Sequence, residues 1–287
     1  MNIEIKSKIV ETLKTERERY ESANKMATAL GINPAQLSRI LNGELDGVLS
    51  DANWISIAHK FGVIFGNQKA WKTIETETYN YIYKQLQICK DKSVSGIFCD
   101  IADIGKTYTA KAFVKNNKNA VYIDCSQYKT RQRLIRAIAR EFGINHGSRY
   151  SDVFGELTYY LCSIERPLII LDEAGDLEYS AFLELKALWN ATEYVCGWYM
   201  LGADGLKPKI EAGINRFTIG YTEIMSRYGT KINRVSPIGA DAMNEWRNTQ
   251  VALIARGNNE HVDLKDIVAK SNGSLRRVRI ILSQYNS

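Results

Sequence analysis

The stretch that most constrains this chain is Gly96-Ile97-Phe98-Cys99-Asp100-Ile101-Ala102-Asp103-Ile104-Gly105-Lys106-Thr107. An apolar run leads into a turn, and Gly-Lys-Thr then opens a helical pattern over Tyr108 to Val114. Strand, tight loop and helix start in that order point backbone N–H groups and the positive end of a helix at one place, which makes an anion site. Lys106 is placed to reach outer phosphates and the Thr107 hydroxyl to hold Mg²⁺. Asp103, Ile104, Gly105 and Tyr108 complete the expected cradle. A second stretch, Pro167-Leu168-Ile169-Ile170-Leu171-Asp172-Glu173, reads as a buried parallel strand with two acids at its carboxyl end. Asp172 is expected to bind the metal, directly or through water, and Glu173 to polarise the attacking water. The bland alternative is a pair of solvated acids at a strand end.

The loop departs from the usual spacing G-x-x-x-x-G-K-[ST]. Asp100 stands at the first glycine position, and Asp103 where a further glycine is common. Glycine serves there because it takes positive φ and lets the backbone approach a phosphate. A carboxylate about 5 Å from a phosphate charge is repelled by roughly 3 kcal/mol at an effective dielectric near 20. The expectation is weak nucleotide binding, relieved by changing both acids to glycine.

A chain of 287 residues, 45% hydrophobic and 24% charged, has material for one large α/β domain and one or two small ones. Its net charge of +6 permits nucleic-acid binding without requiring it. The five cysteines form no CxxC pair, and no apolar run approaches the roughly 18 residues of a membrane span. The expectation is a cytoplasmic protein with no membrane contact.

Ile3 to Arg19 carries apolar residues at a spacing of four, as an amphipathic helix does. Ser22 to Gly43 then resembles a helix-turn-helix of the phage repressor type. Small Ala27 allows close approach, Gly31 makes the turn, and Asn33 caps a second helix with Pro34 at its first position. Leu37, Ile40 and Leu41 face a core, while Gln36, Ser38, Arg39 and Asn42 face outward as candidate DNA contacts. A small protein-interaction domain is the alternative for the same scaffold. Another helix, from Ser50-Asp51 and carrying Trp54, Ile57, Ala58 and Phe61, closes the unit, and a linker is placed in Gly62 to Lys72.

Further along, a Tyr- and Ile-rich helix is expected over Thr76 to Lys92, and a strand over Ala120 to Cys125. Helices follow over Lys129 to Phe142 and Ser151 to Ile164. The first carries Lys129, Arg131, Arg133, Arg136 and Arg140 outside, either a solvated basic face or a DNA contact. With Arg149, three of these (Lys129, Arg131 and Arg133) are the candidate nonspecific DNA contacts. Ala181 to Thr192 reads as a helix, and Gly197 to Asp204 as a strand with polar Asp204 at its end. Ile219 to Tyr228 is helical and Lys231 to Val235 a last strand. Helices fill the remainder, over Asp241 to Ala255, Asp263 to Lys270 and Ser274 to Tyr285.

The two acid- and lysine-bearing motifs look like Walker A and Walker B. With Ser226-Arg227, the helical C-terminal part and Gly273-Ser274-Leu275-Arg276, the chain from about Thr73 resembles an AAA+ ATPase. With the N-terminal helix-turn-helix it is similar to the Mu B type of transposition proteins in phages and mobile elements. The resemblance implies an α/β fold with a parallel P-loop sheet of the additional-strand type, an all-α N-terminal domain and a helical C-terminal lid. The expected bounds are 1–66, 67–236 and 237–287. It implies ATP and Mg²⁺ as cofactors, Arg227 as a finger toward a neighbour's nucleotide, Arg276 as a lid arginine on the phosphates, and Asp204 at the sensor position. It also implies a homo-oligomer, filamentous on double-stranded DNA with little sequence preference, and a DDE-type transposase as partner. Two other readings stand beside it: a DNA-binding regulator on a P-loop disabled by Asp100 and Asp103, and a loader or remodeller of a protein partner.

Overall fold

The structure is a computed structural model and describes residues 1–63, 71–229 and 231–285. Most of the expected linker therefore lies outside the described residues. Helices α1 (Ile3–Glu16), α2 (Ala23–Leu30), α3 (Pro34–Leu41) and α4 (Asp51–Phe61) surround an apolar centre that includes Leu13, Met26, Leu37, Ile40 and Trp54. The local signals act as expected: Gly31 closes α2 at φ +69°, and the Asn33 side chain accepts the Ala35 N–H at 2.8 Å to start α3.

The central sheet is built from β1 (Ser95–Cys99), β2 (Ala120–Asp124), β3 (Leu168–Asp172) and β4 (Gly197–Gly202), all parallel in the order β1-β4-β3-β2. Alternate residues point to opposite faces, as the pleat requires. Ile97, Val121, Ile169, Trp198 and Met200 pack with α7 (Arg131–Glu141), α8 (Tyr150–Ser163) and α9 (Tyr179–Ala191). Phe98, Ile170, Tyr199 and Leu201 pack on the other side with α5 (Glu77–Lys92) and α6 (Lys106–Asn116). Coverage on both faces explains why β3 is buried along its whole length and apolar from Leu168 to Leu171. Insertion of β4 between β1 and β3 separates the two motif-bearing strands by one strand, the additional-strand arrangement.

Two expectations change here. Leu206–Asn215, a stretch to which no element was assigned, forms a helix, α10, ahead of α11 (Tyr221–Tyr228). The last expected strand, Lys231 to Val235, reduces to one parallel bridge between Asn233 and Phe98. The ladder stops because the N–H groups of Val235 and Ser236 turn to the Asp100 carboxylate, each at 2.8 Å.

The C-terminal helices α12 (Ala240–Asn258), α13 (Leu264–Ser271) and α14 (Leu275–Tyr285) enclose Val251, Ile254, Ile267, Val278 and Leu282. Trp71 and Ile74, which precede α5, pack into this same cluster. The Lys72 N–H donates to Asn258 Oδ1 at 2.8 Å, and Asn258 Nδ2 donates back to the Lys72 carbonyl at 3.2 Å. The N-terminal helices rest on α7 and α8: Lys60 pairs with Glu141 at 2.9 Å and the Lys25 ammonium lies 3.7 Å over the Tyr160 ring. Gly143 is required at this contact, since a Cβ there would meet the Lys25 carbonyl oxygen at 2.3 Å.

Candidate functional site

The loop between β1 and α6 has Gly105 at φ +94° as its last residue before the helix, so the first N–H groups of α6 open onto the cavity above the strands. That cavity, about 390 Å³, lies between this loop, the segment before α5 and the lid. Lys106, Thr107, Tyr108 and Glu173 line it from the core, and Leu275, Arg276 and Arg279 from α14. The segment before α5 adds Trp71 and Ile74, α5 itself adds Tyr79, and α12 adds Ile254.

The two sequence motifs meet directly. Thr107 Oγ1 donates to Asp172 Oδ2 at 2.6 Å, and Tyr122 from β2 donates its hydroxyl to the same oxygen at 2.9 Å. The other oxygen of Asp172 accepts the Glu173 N–H at 3.0 Å. Glu173 takes a left-handed backbone at φ +51°, which turns its side chain out of the strand direction and toward the cavity. Burial, with the Asp172 charge beside it, raises the Glu173 carboxyl above its ordinary value, and the Lys106 ammonium opposes this.

Lys106 is buried and donates to the carbonyl oxygens of Asp100 and Ile101 at 2.8 and 2.6 Å. Burial lowers its pKa, while the carboxylates of Asp100, Glu173, Asp172 and Asp204 act in the opposite direction. A hydroxyl and a carboxylate side by side are the hard oxygen donors that suit Mg²⁺, which keeps most of its shell for water and phosphate. A desolvated ammonium and free helix N–H groups suit polyphosphate. These residues fit Mg²⁺-ATP.

Of the two loop acids, Asp100 lies away from that cavity, contrary to the repulsion expected from the sequence, whereas Asp103 lines it with its carboxylate tied to the lid. Asp100 is buried and accepts the N–H groups of Ile101, Val235 and Ser236 as well as the Ser236 hydroxyl. Burial alone would raise its pKa. The hydrogen bonds from Ser236, Val235 and Ile101 together outweigh that and hold it below the ordinary value. Asp103 points to the lid, where it accepts the Ser274 hydroxyl and, at 3.1 Å, the Arg276 N–H.

The remaining candidates are spread. Ile104 is buried under the loop, and exposed Asp204 lies beyond the end of β4. Arg227 on α11 is held within its own chain by Asn190 Oδ1 at 2.7 Å and by the Glu223 carbonyl at 2.9 Å, with its guanidinium 5.3 Å over Trp189. Among the helix-turn-helix candidates Ser38 and Arg39 are exposed, and Arg39 pairs with Glu44 at 2.7 Å. Gln36 does not face outward free for a base. Its Oε1 accepts the Asn33 N–H at 3.0 Å and its Nε2 donates to the Val48 carbonyl at 2.9 Å. The Asn33-to-Gln36 spacing is a capping-box signature that could have foretold this.

Lys129, Arg131, Arg133 and Arg149 are exposed near the starts of α7 and α8. Lys129 pairs with Asp176 at 3.0 Å, and the Arg131 guanidinium lies 5.4 Å over the Tyr150 ring. Arg136 and Arg140, expected outside, turn inward to the His146 carbonyl and the Tyr128 hydroxyl. Sequence reasoning missed Trp71, Ile74, Ile254 and Tyr122. An apolar residue beside a linker and a tyrosine inside a strand carry no mark of a binding site. Among the described residues, no helix is long and apolar enough to cross a membrane.

Residues 95–210, from β1 into α10, match the AAA domain family. A similar curated protein is the Mu-like prophage FluMu DNA transposition protein B of Haemophilus influenzae, 26% identical over 194 residues, 66% of this chain and 67% of that one. Among solved structures, the Aeropyrum pernix ORC1 protein in complex with DNA aligns at TM-score 0.48 and 15% identity, over 73% of this chain and 62% of that one. The Walker-type ATPase of Pyrococcus abyssi aligns at TM-score 0.41 and 14% identity, over 73% of this chain and 65% of that one. This chain thus spans less than two thirds of either solved structure. With its phosphate loop and acid pair on strands separated by β4, this chain carries an AAA domain over residues 95–210 and is similar to a Mu-like transposition protein B.

Proposed function

We propose that this protein binds ATP with Mg²⁺ between its phosphate loop and lid, hydrolyses it, and assembles on double-stranded DNA to regulate or target transposition. The observation that carries the reading is the 2.6 Å bond from Thr107 to Asp172, which brings the two motifs to one point beside Lys106 and Glu173. When bound, Mg²⁺ supplies the charge that offsets the polyphosphate. Lys106, released from its loop carbonyls, neutralises the outer phosphates, and the first N–H groups of α6 cradle them. Glu173 stands next to Asp172, with a raised proton affinity, to orient and deprotonate the attacking water. Arg276 completes the cationic side from the lid. Asp204 remains a candidate contact at the end of β4, and Arg227 a candidate donor to the site of a second copy.

DNA is assigned to the exposed cations Lys129, Arg131, Arg133 and Arg149, with Ser38 and Arg39 of the helix-turn-helix as further contacts and Gln36 set aside. The related DNA transposition protein B supports the role in transposition, and a DDE-type transposase is the partner assigned with it. The burial of Asp100 against Ser236 and the engagement of Asp103 by Ser274 support a working phosphate loop over a disabled one.

Phosphate release with and without duplex DNA tests the reading. Glu173→Gln is expected to keep ATP bound while slowing hydrolysis by on the order of a hundredfold or more. Normal turnover in that variant would remove Glu173 from the mechanism.

A further inference from the structure

Asp103 sits near the end of the phosphate loop at φ +65°, a left-handed conformation that Asp tolerates better than most residues. Its carboxylate leaves the loop and reaches a helix start far along the chain. One oxygen takes the Ser274 hydroxyl, across a sequence separation of 171, and the other accepts the Arg276 N–H at 3.1 Å. Ser274 in turn accepts the Arg277 N–H at 3.1 Å. A helix start offers several unsatisfied N–H groups, ordinarily met by the residue just ahead of it. Here that residue, Ser274, is itself fixed by an acid from another element. The turn so held is the lid's contribution to the cavity: Leu275 and Arg276 line it, and Leu275 Cδ1 is the atom nearest to where a Cβ on Gly105 would stand, at 3.8 Å.

We propose that Asp103 is a positioning residue that docks the lid onto the phosphate loop and thereby sets Leu275 and Arg276 at the nucleotide pocket. This rests on the nucleotide reading above. It gives the acid at a usual glycine position a purpose: the carboxylate joins the two walls of the pocket before any ligand arrives. Nucleotide then meets a lid already in place, and its release requires the contact to open.

Amide hydrogen exchange on the full chain without nucleotide is the first measurement. Asp103→Gly suits it, because glycine takes φ +65° without strain and removes only the carboxylate. Ser274→Ala removes the contact from the lid side, so the test survives if the loop variant folds poorly. Both variants are expected to speed exchange across the first turn of α14 by about tenfold or more, the loss of a hydrogen bond to a charged group. Asp103→Asn, which keeps an acceptor, falls between. The second measurement is dissociation of a fluorescent ADP analogue, expected to be about tenfold faster in both Asp103→Gly and Ser274→Ala. Unchanged exchange at α14 in both variants overturns the docking. Faster exchange with unchanged ADP dissociation overturns the positioning role. If neither wild type nor variant binds the analogue while exchange still differs, the nucleotide reading fails and the docking of lid on loop stands.

Discussion

The Asp100 carboxylate holds both the hydroxyl and the backbone N–H of Ser236, a residue 136 positions later in the chain. With the Val235 and Ile101 N–H groups it forms a buried clip between the phosphate loop and the segment that lies beside β1. Asp100→Ala would strand these donors, and a loss of about 3 kcal/mol in urea unfolding is expected. Because the folded pKa lies below the ordinary 3.8, this contribution is complete above the unfolded value and is lost as pH falls through the depressed one. The stability gap between wild type and Asp100→Ala should therefore close in acid; a gap that persists at the lowest pH would refute the clip.

The Glu173 carboxyl is raised from 4.5 by burial and by Asp172. A base must be ionised to accept a proton, so hydrolysis should fall as pH drops through that raised value, and the acid limb should lie above the ordinary carboxylate range. A pH profile of single-turnover phosphate release measures it. A limb at or below 4.5 would show that another group sets the rate.

Tyr122 shares Asp172 Oδ2 with Thr107 but does not line the cavity. Partners behind a metal-binding carboxylate orient it, and their loss typically costs metal affinity. Tyr122→Phe is expected to raise the Mg²⁺ concentration needed for hydrolysis by about tenfold, with metal-free nucleotide affinity unchanged. Mg²⁺ titrations of both proteins decide the matter.

Trp71 forms part of the cavity wall away from the loop and packs into the lid cluster. Trp71→Ala should weaken ATP and ADP by about tenfold through lost apolar and stacking contact. Tripolyphosphate should bind unaltered. Calorimetry with the three ligands separates a base-side wall from a general disturbance, in which all three would weaken together.

On duplex DNA, each neutralised phosphate adds about −0.9 to the slope of log K against log salt. Lys129→Ala and Arg131→Ala should each flatten that slope by roughly one unit and weaken all sequences alike. Arg136→Ala, whose guanidinium is turned to the His146 carbonyl, should leave the slope in place. Equal slopes for all three variants would move the DNA surface elsewhere.

What could be read from the chain was local. Gly31, Asn33 and Pro34 set a turn and a helix start within a few residues, and Leu168 to Asp172 is apolar enough to demand burial on both faces. The motif residues Lys106, Thr107, Asp172 and Glu173 come together because β1 and β3 share one sheet. The fates of Asp100 and Asp103 were not legible, since their partners lie 136 and 171 positions away and only the folded path joins them. Electrostatics judged by sequence adjacency placed both acids against the phosphates; folding buried Asp100 in a clip to Ser236 and engaged Asp103, at the cavity wall, with the lid. Helix α10 was hidden for a local reason, because Pro208 and Gly213 are breakers that this helix accommodates in its first and last turns.

Trp71 and Ile74 belong to the lid by packing, and Lys72 is tied to it twice through Asn258, although in sequence all three come before the first strand of the sheet. The helical cap is therefore stitched from both ends of the polypeptide. A tilt of α12 carries Trp71, Lys72 and Ile74 with it, much as a hinge pin moves both leaves. Whatever sits in the cavity thus rests at once on the segment that leads into α5 and on the helical cap, through Trp71 and Ile74 on one side and Ile254 and Leu275 on the other.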